Sequence, residues 1–442
     1  MTVQAAQTAQ QSAYLKRPGW IERALVVLMV IVFSFSLPTE WFLVGADAVT
    51  TGGALVQLTF LAFFGIAILG MMGNWHVALH ALSREPLLPG LIGFAMLSSL
   101  WSTDPFGTFT TTFTIAITLT VSVYLIMRFS LEEIIYMVAI ALAIGVIINF
   151  MMVFAFPSSG LQSDRTGIDG AWSGVFRSRN NLARITVISV VIFIMAARLR
   201  RSFFVWPTFI LLATVQVIGT QSATGLGALF ASISLLVVFL GFRGRKHLYG
   251  ATTVALGTVF GLVLAAAAIN LSGLTALVGR DATFTGRLPL WQASFAYGIP
   301  ERPWLGYGWA AFWGNGNTDF PVQLRLPNFD TPHAHNAFVD AWLFAGPLAA
   351  AILAALYVRG LFWAARNIRR DPTITGMFPA MMISLSVLFS LSETGFVGRS
   401  SGFILLSIAL MTASRNKGVQ VPFVPKVKVE AEQPRPKLVS VN

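Results

Sequence analysis

No cysteine occurs among the 442 residues, which excludes disulfides, thiolate metal sites and a cysteine nucleophile. That absence also suits a working face in an oxidising compartment. Charge is scarce too: 11% of residues are Asp, Glu, Lys or Arg, against roughly 25% in soluble domains. With 55% hydrophobic residues and a mean hydropathy of +0.72, an integral membrane protein is expected. The net charge of +12 does not imply a nucleic-acid partner, because Lys and Arg are dispersed between apolar segments. Histidine is rare, with five in the chain. No carboxylate stands at ligand spacing beside the His333/His335 pair, so no metal site is expected.

What the chain has in abundance is apolar segments near the roughly 20 residues that cross a bilayer. They fall at 22–38, 54–73, 87–101, 108–128, 135–156, 182–199, 203–219, 224–242, 249–271, 337–357, 374–392 and 400–413. The third and the last are short. The pattern predicts an all-α polytopic membrane protein with about 12 transmembrane helices. Residues 1–20 read as a polar leader before an uncleaved first helix, since Leu37-Pro38-Thr39-Glu40 offers no small-x-small cleavage site. Residues 21–413 form the transmembrane domain, and 414–442, rich in Pro, Lys, Val and Glu, read as a disordered tail.

An even number of spans puts both termini on one side, and Lys/Arg placement makes that side cytoplasmic. Every lysine then lies inside, whereas the outer side carries only arginine: Arg165, Arg177, Arg179, Arg184, Arg280, Arg287, Arg302, Arg325 and Arg399. Arginine forks match oxyanions, so these are candidates for binding an anionic substrate. Pairing with Asp164, Asp169, Asp281 and Asp330 is the structural alternative.

Two outer loops concentrate them. In the first, 157–181, Arg177, Arg179 and Arg184 gather at the mouth of the sixth span. The second, 272–335, is too long for a plain connection. There Thr285 can cap a helix starting near Gly286, which places Arg287, Trp291 and Phe295 on one face. Arg287 in the first turn suits a phosphate; an interfacial amphipathic helix is the alternative. Gly306-Tyr307-Gly308-Trp309 follows as a tight aromatic turn. The loop ends in His333-Ala334-His335-Asn336, with Gly346 nine positions further on. His335, next to a helix N-terminus, is kept neutral and suits a general base for a hydroxyl. His333 is expected to point elsewhere, and Asp340 is a poor orienter for His335 because the two are about 140° apart around a helix.

Four places resemble the O-antigen ligase and Wzy-type polysaccharide polymerase superfamily. They are Leu100-Trp101-Ser102-Thr103-Asp104-Pro105, Trp172-Ser173-Gly174-Val175-Phe176 through Asn180, Gly286-Arg287 with Trp291 and Gly306-Tyr307-Gly308, and His335-Asn336 followed by Gly346. The resemblance covers residues 100–350 and is nearest to the exopolysaccharide polymerase branch, with Ser178-Arg179 where that branch has His-Lys. It implies a GT-C-like membrane fold with a large periplasmic loop domain in the bacterial inner membrane. It also implies a metal-independent glycosyltransferase without a cofactor, acting on undecaprenyl-diphosphate-linked oligosaccharide. The acceptor is another lipid-linked repeat for a polymerase, or lipid A–core for a ligase, and a chain-length regulator is a further partner this implies. His335, Arg287 and Arg179 become the catalytic set. Arg184, Arg177, His333, Asn336, Trp291, Tyr307 and Trp309 become the substrate-binding set. The rival of another class is a lipid-linked sugar flippase or secondary transporter, which would place ionisable groups near the bilayer midplane.

Overall fold

Apolar runs become helices in the computed structural model, which describes residues 18–35, 54–162, 170–176, 178–200, 202–241, 287–313, 333–393 and 401–413. The helices are α1 (Trp20–Phe35), α2 (Ala54–Met71), α3 (Trp75–Ser83), α4 (Leu87–Leu97), α5 (Pro105–Arg128), α6 (Leu131–Ala155) and α7 (Arg179–Leu199). They continue with α8 (Val205–Gly219), α9 (Ala223–Gly241), α10 (Arg287–Ala293), α11 (Ala337–Arg370), α12 (Ile374–Ser390) and α13 (Ser401–Ala413). The protein is a multi-pass membrane protein, and its regular elements among the described residues are all helices. Among the described residues, 5 helices are long and apolar enough to cross a membrane, or 6 if α2 and α3, bent by 106°, form one span.

Each expected apolar segment coincides with a helix except 249–271, which lies outside the described residues, as do the leader before residue 18 and the tail from 414. Local chemistry sets the helix starts. Asp104 accepts the Gly107 amide ahead of Pro105, and Ser130 with Glu133 forms a reciprocal capping box.

The tenth expected span departs most from expectation. Helix α11 runs on to Arg370, well past residue 357, and breaks at Ala345–Gly346, where Gly346 has φ +81°. Pro347 has no N–H to return to the Leu343 carbonyl. That carbonyl instead accepts the Tyr307 amide at 2.9 Å, and the Phe344 carbonyl accepts the Gly308 amide at 2.9 Å. The break therefore docks the Gly306–Trp309 turn.

The same turn is held from its other side by the Trp101–Asp104 segment. Thr103 N donates to the Tyr307 carbonyl at 2.9 Å, and Trp101 Nε1 to the Leu305 carbonyl at 2.7 Å. Ser98 Oγ accepts the Trp309 amide at 3.0 Å. At the opposite end of the bundle, ion pairs tie helices together: Arg23–Glu133, Arg128–Glu22, and Arg359 with the buried Glu85.

Residues 157–162 and 170–176 turn back into the helices. Leu161 bridges Trp172, Val175 N donates to Asn149 Oδ1 at 3.0 Å, and Trp172 packs between Phe150 and Phe154.

Candidate active site

Ser178 caps α7, Asn336 caps α11, and the chain leaves α12 at Glu393; the three points meet at one end of the bundle. Glu393 is the centre. It is 4% exposed, and its backbone amide still donates to the Phe389 carbonyl, which carries the helical turn past Ser390. Its Oε1 accepts from Arg287 Nη2 at 3.1 Å and from Asn180 Nδ2 at 3.3 Å. Its Oε2 lies 3.1 Å from His335 Nδ1 and 3.7 Å from His333 Nε2. Ser222 Oγ donates to Asn180 Oδ1 at 2.9 Å and so orients that amide.

Burial alone would push the Glu393 carboxyl up. The hydrogen bond from His335 and the charges of His335, His333 and Arg287 outweigh it and hold the group at about 2. His333 moves down to about 4, through burial first and then the charge of His335, with Arg184 and Arg287 adding to the fall against the pull of Glu393. Burial also lowers Arg287, opposed by Glu393. At neutral pH the cluster is thus a buried carboxylate, a guanidinium paired to it, and a neutral His333.

The hydrogen bonds assign ring protons. His335 N donates to His333 Nδ1 at 3.2 Å, so the neutral His333 ring carries its proton on Nε2, facing Glu393. His335 Nδ1 donates to Glu393, which leaves the Nε2 lone pair as the basic position. One ligand atom from each of His333, His335 and Glu393 lies within 4.8 Å of the others, a spacing open to a metal ion. The proton on His333 Nε2 fits that poorly, because metal ligation there would require giving up the bond from the His335 amide.

Several sequence expectations change place. His333 does not point away: its ring centroid is 4.2 Å from that of His335. Arg179 opens α7, and its Nη1 donates to the Gln221 carbonyl at 2.9 Å, one residue from the Asn180 that touches Glu393. Arg184 lies one turn further, with Nη2 3.3 Å from Asn181 Oδ1. Arg177 lies outside the described residues, as do Thr285 and Gly286.

Asn336 uses its Oδ1 to cap α11, accepting from the Phe338 and Val339 amides at 2.9 and 3.3 Å. Trp291 donates Nε1 to the Ala334 carbonyl at 2.7 Å. Arg287 and Trp291, four apart on α10, both meet the histidine site, through Glu393 and the Ala334 carbonyl, whereas Phe295 falls in the π-helical turn Ser294–Gly298. Phe295 is 50% exposed while Arg287 is buried.

Tyr307 and Trp309 are 2% and 5% exposed, so neither ring is open to a sugar. The Tyr307 hydroxyl is 2.7 Å from Glu301 Oε2 and 2.9 Å from the Gly298 carbonyl, a structural role.

Glu393 is the residue of this candidate site that the sequence alone does not point to. Its signal was an acid directly after an apolar segment, in Ser392-Glu393-Thr394-Gly395, with no motif around it.

Residues 208–354 match the model of the O-antigen ligase family, a range that includes Arg287, His333, His335, Asn336 and Gly346. Over 229 residues the chain is 27% identical to the exopolysaccharide production protein ExoQ of Rhizobium meliloti (strain 1021). That alignment covers 48% of this chain and 52% of the relative, so the chain spans about half the length of the curated protein it matches. The chain is thus similar to an O-antigen ligase domain over the stretch that carries the histidine pair, and to an exopolysaccharide production protein over about half its length, the superfamily and branch that its motifs resemble.

Proposed function

We propose that the chain is an inner-membrane glycosyltransferase that polymerises undecaprenyl-diphosphate-linked oligosaccharide repeat units into exopolysaccharide or O-antigen at the periplasmic face. The observation that carries this is the 3.1 Å contact of His335 Nδ1 with a buried Glu393 that is also paired to Arg287. Glu393 orients the imidazole, and Nε2 takes the proton of the acceptor hydroxyl. The hydroxyl oxygen bonds to the anomeric carbon of the donor. The bond from that carbon to the diphosphate oxygen breaks, and its electron pair leaves with the lipid diphosphate. Arg287, Arg179 and Arg184 supply positive charge for the leaving group, with Arg177 as a further candidate. Attack from the face opposite the leaving group inverts the anomeric centre.

No metal enters this scheme, so activity is expected to persist in a chelator. A cytoplasmic placement of both termini agrees with Arg359, Arg366, Arg369 and Arg370 lying on α11 remote from His335. Transport finds less support: the buried polar side chains Asn149 and Gln216 hold the Val175 amide and the Val146 carbonyl.

A ligase using lipid A–core as acceptor is the second reading, favoured by the description of the matched family. The test is incubation of the purified protein with lipid-linked repeat units, with His335→Ala as control. A ladder of longer lipid-linked glycans, lost in the variant, supports the polymerase. Transfer only when lipid A–core is supplied makes it a ligase, and inactivity with both overturns the proposal.

A further inference from the structure

Asp340 is a fully buried acid in the first turn of α11, and the mechanism above does not use it. Its Oδ1 accepts two hydrogen bonds, from Trp313 Nε1 at 2.7 Å and from the Ala334 amide at 3.0 Å. Ala334, itself fully buried, sits between the two histidines, and its carbonyl is held by Trp291 Nε1 at 2.7 Å. Both backbone polar groups of the residue joining His333 to His335 are thus fixed by side chains, the amide by Asp340 in the first turn of α11 and the carbonyl by Trp291 on α10.

The need for such anchoring is visible at the next residue. His335 has φ +52°, a left-handed conformation that a side chain with a Cβ keeps only where its surroundings over-determine it. In that conformation the His335 amide turns back to His333 Nδ1 and the ring meets Glu393. The helix cap does not explain the arrangement, since Asn336 serves the Phe338 and Val339 amides and Asp340 reaches back past it. A carboxylate in the first turn of α11 is also favourably placed against the free amides of the helix end.

We propose that Asp340 is a positioning residue that sets the direction of the His335 ring by clamping the Ala334 peptide, with Trp313 fixing the clamp. Its effect on turnover rests on the function proposed above. The acceptor oxygen matters here more than the charge.

Two measurements test it. The first needs no activity: carbethoxylation of His335 by diethyl pyrocarbonate, followed by mass spectrometry on the purified full chain. Asp340→Ala and Trp313→Phe are expected to raise the rate several-fold, while Asp340→Asn, which keeps Oδ1, stays near wild type. The second is turnover of lipid-linked repeat units. Asp340→Ala is expected to lose about 100-fold in kcat with KM little changed, the loss of a misplaced base. Asp340→Asn recovers most of it. Combination with Glu393→Gln adds far less than the product of the single effects, because both act through His335.

A folded Asp340→Ala protein whose His335 reacts at the wild-type rate overturns the clamp; so does full multiplicativity with Glu393→Gln. If wild type turns over neither acceptor while His335 reactivity still rises in Asp340→Ala, the proposed function falls and the clamp stands.

Discussion

Glu393 follows His335 by 58 residues in the chain, yet its Oε2 lies 3.1 Å from His335 Nδ1 while its Oε1 accepts from Arg287. One buried carboxylate therefore orients an imidazole with one oxygen and holds a guanidinium with the other. Displacing Arg287 would leave that buried negative charge uncompensated beside His335.

Replacing that carboxylate is the sharpest single test. Glu393→Gln keeps the shape, removes the charge and leaves one accepting oxygen where two serve now, so His335 and Arg287 cannot both keep their acceptor and Arg287 loses its counter-ion. Turnover is expected to fall by on the order of 100-fold, the lower range for losing a positioned base. Rates within twofold of wild type would remove Glu393 from the mechanism.

Acid should weaken the cluster in two stages. His333 sits at about 4, below its ordinary 6.5, so the unfolded chain takes the proton first and stability declines as pH falls from about 6.5 toward 4. Glu393 sits at about 2, below its ordinary 4.5, so its contribution is complete above about 4.5 and is lost as pH falls toward 2. Melting curves in detergent, read by tryptophan fluorescence, should show Tm falling through the first window, and His333→Asn should flatten that part. An unchanged slope in the variant would contradict the assignment.

The break in α11 depends on Gly346. A Cβ there would collide with the Trp304 carbonyl, and the left-handed φ adds strain of about 1–3 kcal/mol. Gly346→Ala is expected to lower Tm and the yield of folded protein and to loosen the Gly306–Trp309 turn. Gly93→Ala, where a Cβ meets open space within a helix, is the matched control. Equal thermal stability of the two would show that the break tolerates a side chain.

Tyr307 discriminates between packing and sugar stacking. Tyr307→Phe removes the hydroxyl contacts to Glu301 and Gly298, at a loss of about 0.5–1.5 kcal/mol in stability. KM for lipid-linked substrate should not move, since the ring is enclosed. Titration of initial rates against substrate decides it, and a KM raised several-fold would return the ring to the binding site.

Local signals were strong enough to place much of this. Runs such as Leu131–Ala155 are hydrophobic around their whole circumference, so they are legible as helices without any knowledge of neighbours. The His333–Asn336 motif was legible because residue types alone mark a base at a helix start. The spacing to Gly346 has its physical reason in the half-helix between cap and break. Tyr307 and Trp309 were misjudged because an aromatic in a loop has the same sequence signature whether it faces substrate or fills a gap. Burial is set by the Trp101–Thr103 segment, some 200 positions earlier in the chain.

Residue chemistry along the chain is enough to give the solvent this protein folds in, the helices that result, and a candidate histidine base with arginines beside it. Those follow from hydrophobicity, helix periodicity and residue chemistry, all of which act over a few turns of chain. Which acid meets His335 is set by packing, because Glu393, Asn180, Arg287 and His335 come from four separate segments and meet only when the helices assemble. Packing also decides that His333 faces the same carboxylate and that Asp340 holds the peptide between the histidines. Partner choice of that kind rests on distances across the bundle, which no spacing along the chain encodes.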